Sequence, residues 1–314
     1  MLRRTFLASA SAMALTSAAV AADLGTRPPP PVFLPPPPVF TWTGLYLGVN
    51  AGYTWSNNNL VDTDASPGGC NPAFPGCAVT PNLSVTSASL ATFSLPAKTD
   101  GFIGGGQIGY NYQFNNSFVA GIEADLQGIA GAHASSSFDN TLANPNFTTN
   151  SIDQSVAVSK SLDYLGTIRG RLGFLITPTL LVYGTGGLAY GQTNSSANIT
   201  QFVEDAGTAL APNPYSSFGG LSNSRVGWTA GGGGEWLFAP NWSLKVEYLY
   251  YDLGNVTYSL SPLVTFGQPG TAAPGSAFLS AFPQSTTHFR GNIVRAGLNY
   301  HFNLGGPAPV VAKY

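Results

Sequence analysis

The chain has 314 residues, 8% of them charged, with 38 Gly, 14 Tyr and a formal charge of −2. That charge fraction is about a third of the usual ~25%, too sparse to solvate an ordinary soluble domain, and its slightly acidic balance offers no basic face for nucleic acid. No apolar run of about 18 residues follows the N-terminus, which argues against membrane-spanning helices.

Residues 1–22 read as a signal peptide. Arg3 and Arg4 form the basic start, Thr5–Val20 is small and apolar, and Ala19, Val20, Ala21 and Ala22 supply a small-residue cleavage site; a membrane-anchoring helix is the alternative. Residues 23–41 contain two runs of four Pro and read as an extended periplasmic spacer.

The first strand is WTGLYLGVNAGYTWS, residues 42–56. One face carries Leu45, Leu47, Val49, Ala51, Tyr53 and Trp55; the other carries Tyr46, Gly48, Asn50, Gly52, Thr54 and Ser56. A period of 2, apolar and aromatic on one side and uncharged polar on the other, suits a lipid-facing barrel strand. Residues 57–98 read as a long polar loop. It holds Cys70 and Cys77, which in an exported chain read as a disulfide, with no His nearby for a metal site.

Seven more strands are expected at about 99–114, 117–129, 160–175, 179–192, 224–238, 242–254 and 287–302, the fifth of the eight with ambiguous facing. The fourth is expected to point Leu162, Tyr164 and Ile168 outward and Asp163, Thr167 and Arg169 inward. Long loops are expected at 130–159, 193–223 and 255–286, and short turns near Asn115, Pro178 and Pro240. The connections alternate long and short. The expected fold is therefore all-β: an eight-stranded antiparallel up-and-down transmembrane β-barrel over 42–302, with four long external loops, three short periplasmic turns and a tail at 303–314. A secreted soluble barrel holding an apolar ligand would need the two faces reversed.

The inward-facing charges are Glu123, Asp125, Asp163, Arg169, Arg171, Arg225, Glu235, Lys245, Glu247 and Arg295. Charges inside a barrel must be paired or wet. They read as a salt-bridge network filling the lumen, or as the lining of a narrow polar path for ions or small solutes. No catalytic grouping, cofactor or metal is expected. Gly104–Gly106 and Gly231–Gly234 lack the GxxxxGK[ST] pattern, and His133, His288 and His301 are scattered. Trp42, Trp55, Trp228, Trp236 and Trp242 are expected in interfacial girdles.

Several stretches together resemble the alphaproteobacterial porin-like outer-membrane β-barrel proteins, relatives in architecture of OmpA. They are WTGLYLGVNAGY at 42–53, GTIRGRLGF at 166–174, YGTGGLAYG at 183–191, KVEYLYYDLG at 245–254 and VRAGLNYHF at 294–302. The resemblance implies a non-enzymatic barrel in the outer membrane, in contact with its lipids and delivered by the barrel-assembly machinery. It implies a structural or surface-display role with any surface ligand unspecified, and no peptidoglycan-binding domain. Phe302 matches the terminal aromatic of such barrels, although residues 303–314 follow it.

Overall fold

The computed structural model describes residues 41–302 apart from 71, 74–76, 79–81, 116, 144–150, 205–209, 212–213 and 268–276. The signal peptide, the Pro-rich runs and the tail lie outside the described residues. The elements in chain order are β1 (Gly44–Ser56), β2 (Leu60–Pro67), α1 (Leu83–Leu90), β3 (Phe93–Pro96), β4 (Gly101–Phe114), β5 (Phe118–Ala130) and β6 (His133–Ala143). They continue with β7 (Ser151–Thr177), β8 (Leu180–Glu204), β9 (Leu210–Ala211), β10 (Tyr215–Ala239), β11 (Trp242–Ser259), β12 (Leu263–Gly267) and β13 (Ala277–Phe302).

Eight strands form an antiparallel up-and-down ring, β1-β4-β5-β7-β8-β10-β11-β13, closed by pairing of β13 with β1. The register fixes its geometry. Leu45 pairs with Tyr110, and the line then passes through Ile122, Gly170, Gly186, Ala230, Tyr250 and Asn292 to return at Trp55. The return is ten residues along from the start, which at ordinary strand spacings tilts the strands by about 40°. The turns at one end are short. Asn115 and Asn241 take positive φ there (50° and 67°), a conformation Asn tolerates better than most residues.

The ring strands are longer than expected, and three stretches expected as loops are largely strand. β6 and the first half of β7 pair through 133–143 and 151–161, β8 and β10 pair as far as Gln201 and Tyr215, and β13 extends back to Ala277. The 57–98 stretch holds β2, α1 and β3. These segments read as loops because their outward residues are Ser, Thr and Asn. Many of their inward residues are apolar, with Ile152, Val156, Val158, Ala197, Ile199, Tyr215, Val256 and Tyr258 all buried, among polar ones such as Gln154, Ser195 and Gln201.

The barrel thus has two halves with opposite dress. Near the short turns it is apolar outside and charged inside; beyond, it is mostly polar outside and mostly apolar inside. Local irregularities sit at the join: Gly131 at φ +92° between β5 and β6, a register shift between Leu162 and Leu165, and another between Asp252 and Asn255 with Gly254 at φ +80°. α1 lies within the upper half. Asn82 caps it by accepting from the Val85 N–H at 3.0 Å. It is tied to opposite walls: Gln201 and Gln154 donate to the carbonyls of Ser87 and Leu90 at 3.0 and 2.7 Å, and the Ser280 N–H donates to the Ser84 hydroxyl at 3.0 Å. Cys70 and Cys77 are disulfide-bonded, with Cα atoms 5.3 Å apart.

Candidate functional site

Strands β5, β7, β10, β11 and β13 alternate inward, so their charged residues converge in the lower lumen. Arg169 is the hub. Its guanidinium reaches Glu123 at 2.5 Å, Asp125 at 3.0 Å and Glu247 at 2.9 Å. Arg295 lies 2.6 Å from Glu247 and 2.8 Å from Asp125, Lys245 is 2.8 Å from Glu123, and Arg171 is 2.7 Å from Glu235. Four carboxylates meet four cations, and all eight side chains are buried. Neutral donors fill the remaining lone pairs. Tyr46 donates to Glu123 at 2.6 Å, Thr167 to Asp125 at 2.8 Å, Tyr183 to Glu247 at 3.1 Å, and Ser243 and Asn299 to Glu235 at 2.6 and 2.7 Å. Two glycines make the room. A Cβ on Gly52 would sit 2.6 Å from the Arg295 backbone, and one on Gly109 would strike the Tyr46 ring at 2.3 Å.

The cluster is enclosed along the barrel axis. Towards the short turns, Trp42, Val119, Leu175, Leu181, Tyr183 and Leu237 form a buried apolar lid. Towards the other end, Ile103, Ile129, Leu165, Leu249 and Ile293 begin the apolar core that surrounds α1.

Eight of the ten inward-expected charges are in this cluster; two are not. Asp163 is exposed and accepts from Asn194 at 2.9 Å, whereas Leu162 is buried. The register shift between Leu162 and Leu165 inserts one residue and flips the facing of everything before it. Arg225 lies beyond the cluster, half-buried, and donates to the Asn255 carbonyl. Trp42 also departs from its expected place: it is inside the lumen, its indole N–H donating to the Pro178 carbonyl at 3.1 Å. Sequence reasoning missed Tyr183, because both parities of β8 are apolar, and it did not assign Tyr46 a role. A lone Tyr among Gly and Asn on an inner face was the available signal.

The similarities to known proteins agree with this architecture. The family model described as "Outer membrane protein beta-barrel domain" matches residues 7–302. The chain belongs to the outer membrane protein β-barrel family. The 31 kDa outer-membrane immunogenic protein of Brucella melitensis is 33% identical over 301 residues, covering 96% of this chain and all of that protein. The 25 kDa outer-membrane immunogenic protein of Brucella abortus is 25% identical over 261 residues, covering 83% and 89%. Among solved structures, OprG of Pseudomonas aeruginosa superposes with a TM-score of 0.35 at 10% identity, covering 83% of this chain and 97% of that one. By its family and its Brucella relatives, the chain is an outer-membrane protein.

Among its described residues this outer-membrane barrel carries one further buried cation, at the join of its halves. Lys160 of β7 donates to the carbonyls of Asn58 at 3.0 Å and His288 at 2.9 Å, and lies 4.6 Å from the Phe289 ring centre. β7 and β13 stand four places apart in the ring, so this side chain crosses the lumen. Burial pushes its ammonium down to about 8, with Asp62 opposing. The folded value lies below the ordinary 10.5, so the unfolded chain binds the extra proton between those limits and stability rises with pH through the window. The stability difference between wild type and Lys160→Met should therefore shift by on the order of 3 kcal/mol across that range, measured by urea unfolding in lipid. A difference that stays constant with pH would count against a buried charged amine.

Proposed function

We propose that this outer-membrane barrel is a sealed, non-conducting wall element with a structural and surface-display role. The apolar outer band near the short turns is its membrane-spanning part, and the short turns face the periplasm. Apolar residues there include Val49, Ile108, Ile122, Ile168 and Leu172, all exposed, with no outward charge between them. The half with polar outward residues stands beyond the membrane by roughly 30 Å, given about a dozen residues per strand at ordinary rise and tilt. Its polar outer surface supports display, as do the Brucella relatives named as immunogenic outer-membrane proteins.

The observation that carries the sealed reading is the layering of the lumen. A balanced ion-pair cluster is closed by the Trp42 lid on one side and by the α1 core on the other. An ion crossing would have to displace apolar side chains at both ends, and an eight-stranded interior leaves little space beside them. Wild-type protein in planar bilayers should give no steady unitary conductance above leak. A stable conductance altered by Glu123→Gln would overturn the sealed reading in favour of a small porin.

A further inference from the structure

The outer face of the membrane band carries a groove. Val246, Ala296, Ala51 and Gly104 are register partners in one line across β11, β13, β1 and β4. The next line towards the upper half is Tyr248, Val294, Tyr53 and Phe102, and it is bulky; the Tyr53 and Phe102 rings meet edge-on with centres 5.3 Å apart. The step between them leaves about 540 Å³ of open concavity, walled by Tyr53, Phe102, Val246 and Val294 over a floor of Ala51 and Ala296.

Charge is placed above this groove and not within it. Of the eight Lys and Arg among the described residues, five are buried; Lys98, Arg225 and Arg290 reach the outside. Two of these three stand over the groove. Arg290 is four residues along β13 from Val294, and Lys98 comes three residues before β4 begins at Gly101. The Asn57 N–H donates to the Arg290 carbonyl and the Ala97 N–H to the Asn59 carbonyl, so both cations flank the β1–β2 connection beyond Tyr53. The neighbouring carboxylates are engaged locally. Asp100 accepts from the Ser56 N–H at 2.9 Å, and Asp252, the cross-strand partner of Arg290 on β11, meets the Gly254 N–H at 2.8 Å and His288 at 2.7 Å.

We propose that this groove holds an acyl chain of a phosphate-bearing outer-leaflet lipid of net negative charge whose headgroup sits between Lys98 and Arg290. The inference rests on the membrane placement given above. An apolar slot open to the bilayer takes an acyl chain, and two cations at its mouth complement a phosphate, which an Arg fork contacts through two oxygens. Arg225 is on β10, two strands from Arg290, and is engaged with the Asn255 carbonyl, so it serves as the control for general surface charge.

The test is native mass spectrometry of the folded barrel in detergent micelles, with phosphatidylglycerol or phosphatidylcholine of identical chains added. Wild type should retain one phosphatidylglycerol. Retention of phosphatidylcholine, and of phosphatidylglycerol by the Lys98→Gln/Arg290→Gln double variant, should be about thirtyfold weaker, as loss of two interfacial cations implies. Filling the floor with Ala51→Leu and Ala296→Leu should also abolish retention, while Arg225→Gln should leave it unchanged. Equal retention of the two lipids, or equal loss in Arg225→Gln and the double variant, overturns the inference. So does capture of a second barrel across the groove, seen as disulfide dimers of Ala51→Cys. A wild-type barrel that folds in micelles yet retains no phosphatidylglycerol overturns the inference alone; one that fails to fold in lipid overturns the membrane placement with it.

Discussion

Arg169→Ala should lower the unfolding free energy of the barrel in lipid by about 3–5 kcal/mol, the range for breaking a buried ion pair by removing one partner. Among the described residues, Arg169 is the single cation within 3.0 Å of three different carboxylates, Glu123, Asp125 and Glu247. Its loss leaves four buried acids facing three cations. Desolvation, not lost attraction, sets the size of the effect, because the orphaned carboxylates cannot reach water past the Trp42 lid or the α1 core. Adding Glu247→Gln should therefore recover part of the loss, since it removes one uncompensated charge while keeping an amide that can accept from Tyr183. Urea titration of vesicle-inserted protein, read by the gel shift between folded and unfolded forms, measures both. An unchanged midpoint in Arg169→Ala would mean that the cluster is hydrated and its charges cheap.

Val49→Arg should cost about 2–4 kcal/mol, the penalty for Arg near the midplane of an outer-membrane barrel. Val49 is 62% exposed near the middle of β1, on the apolar outer face. Ala157→Arg gives the contrast: Ala157 is also exposed on a strand, but between buried Val156 and Val158 in the half with a polar exterior. That substitution should stay within about 0.5 kcal/mol, as surface changes usually do. Equal costs at the two sites would erase the distinction between a membrane half and an aqueous half.

The lower barrel was legible because its code is simple. A strand such as Gly44–Ser56 with an apolar outer face and a polar lumen on the other side alternates cleanly, and Leu47, Val49, Ala51 and Tyr53 of its expected outer face are exposed. The charges followed from the same parity, so eight of ten converge. The upper barrel was not legible because its code is inverted and diluted. Segments such as Ser151–Ser161 and Thr193–Gln201 put Val, Ile or Ala inward among outward Ser, Thr and Asn, and those outward residues are also the residues of loops. Asp163 was misplaced for a sharper reason: parity reasoning assumes an unbroken strand, and one inserted residue between Leu162 and Leu165 reverses it. α1 escaped notice because Leu83–Leu90 is short and its buried positions include Ser84, Thr86 and Ser87, leaving no clean apolar stripe.

The continuous strands have a consequence for anything that meets this protein from the aqueous side. Ser155, Ser159, Asn194, Ser196, Asn198, Thr200, Ser216 and Ser222 project from neighbouring strands of one sheet. Same-face residues recur about every 7 Å along a strand and about every 5 Å between strands. Hydroxyl and amide groups are therefore presented as a fixed two-dimensional lattice, tiled by the sheet itself. A partner reading it would match spacing and angle rather than a stretch of sequence, and short linear peptides copied from these strands would reproduce one row of the lattice without its columns.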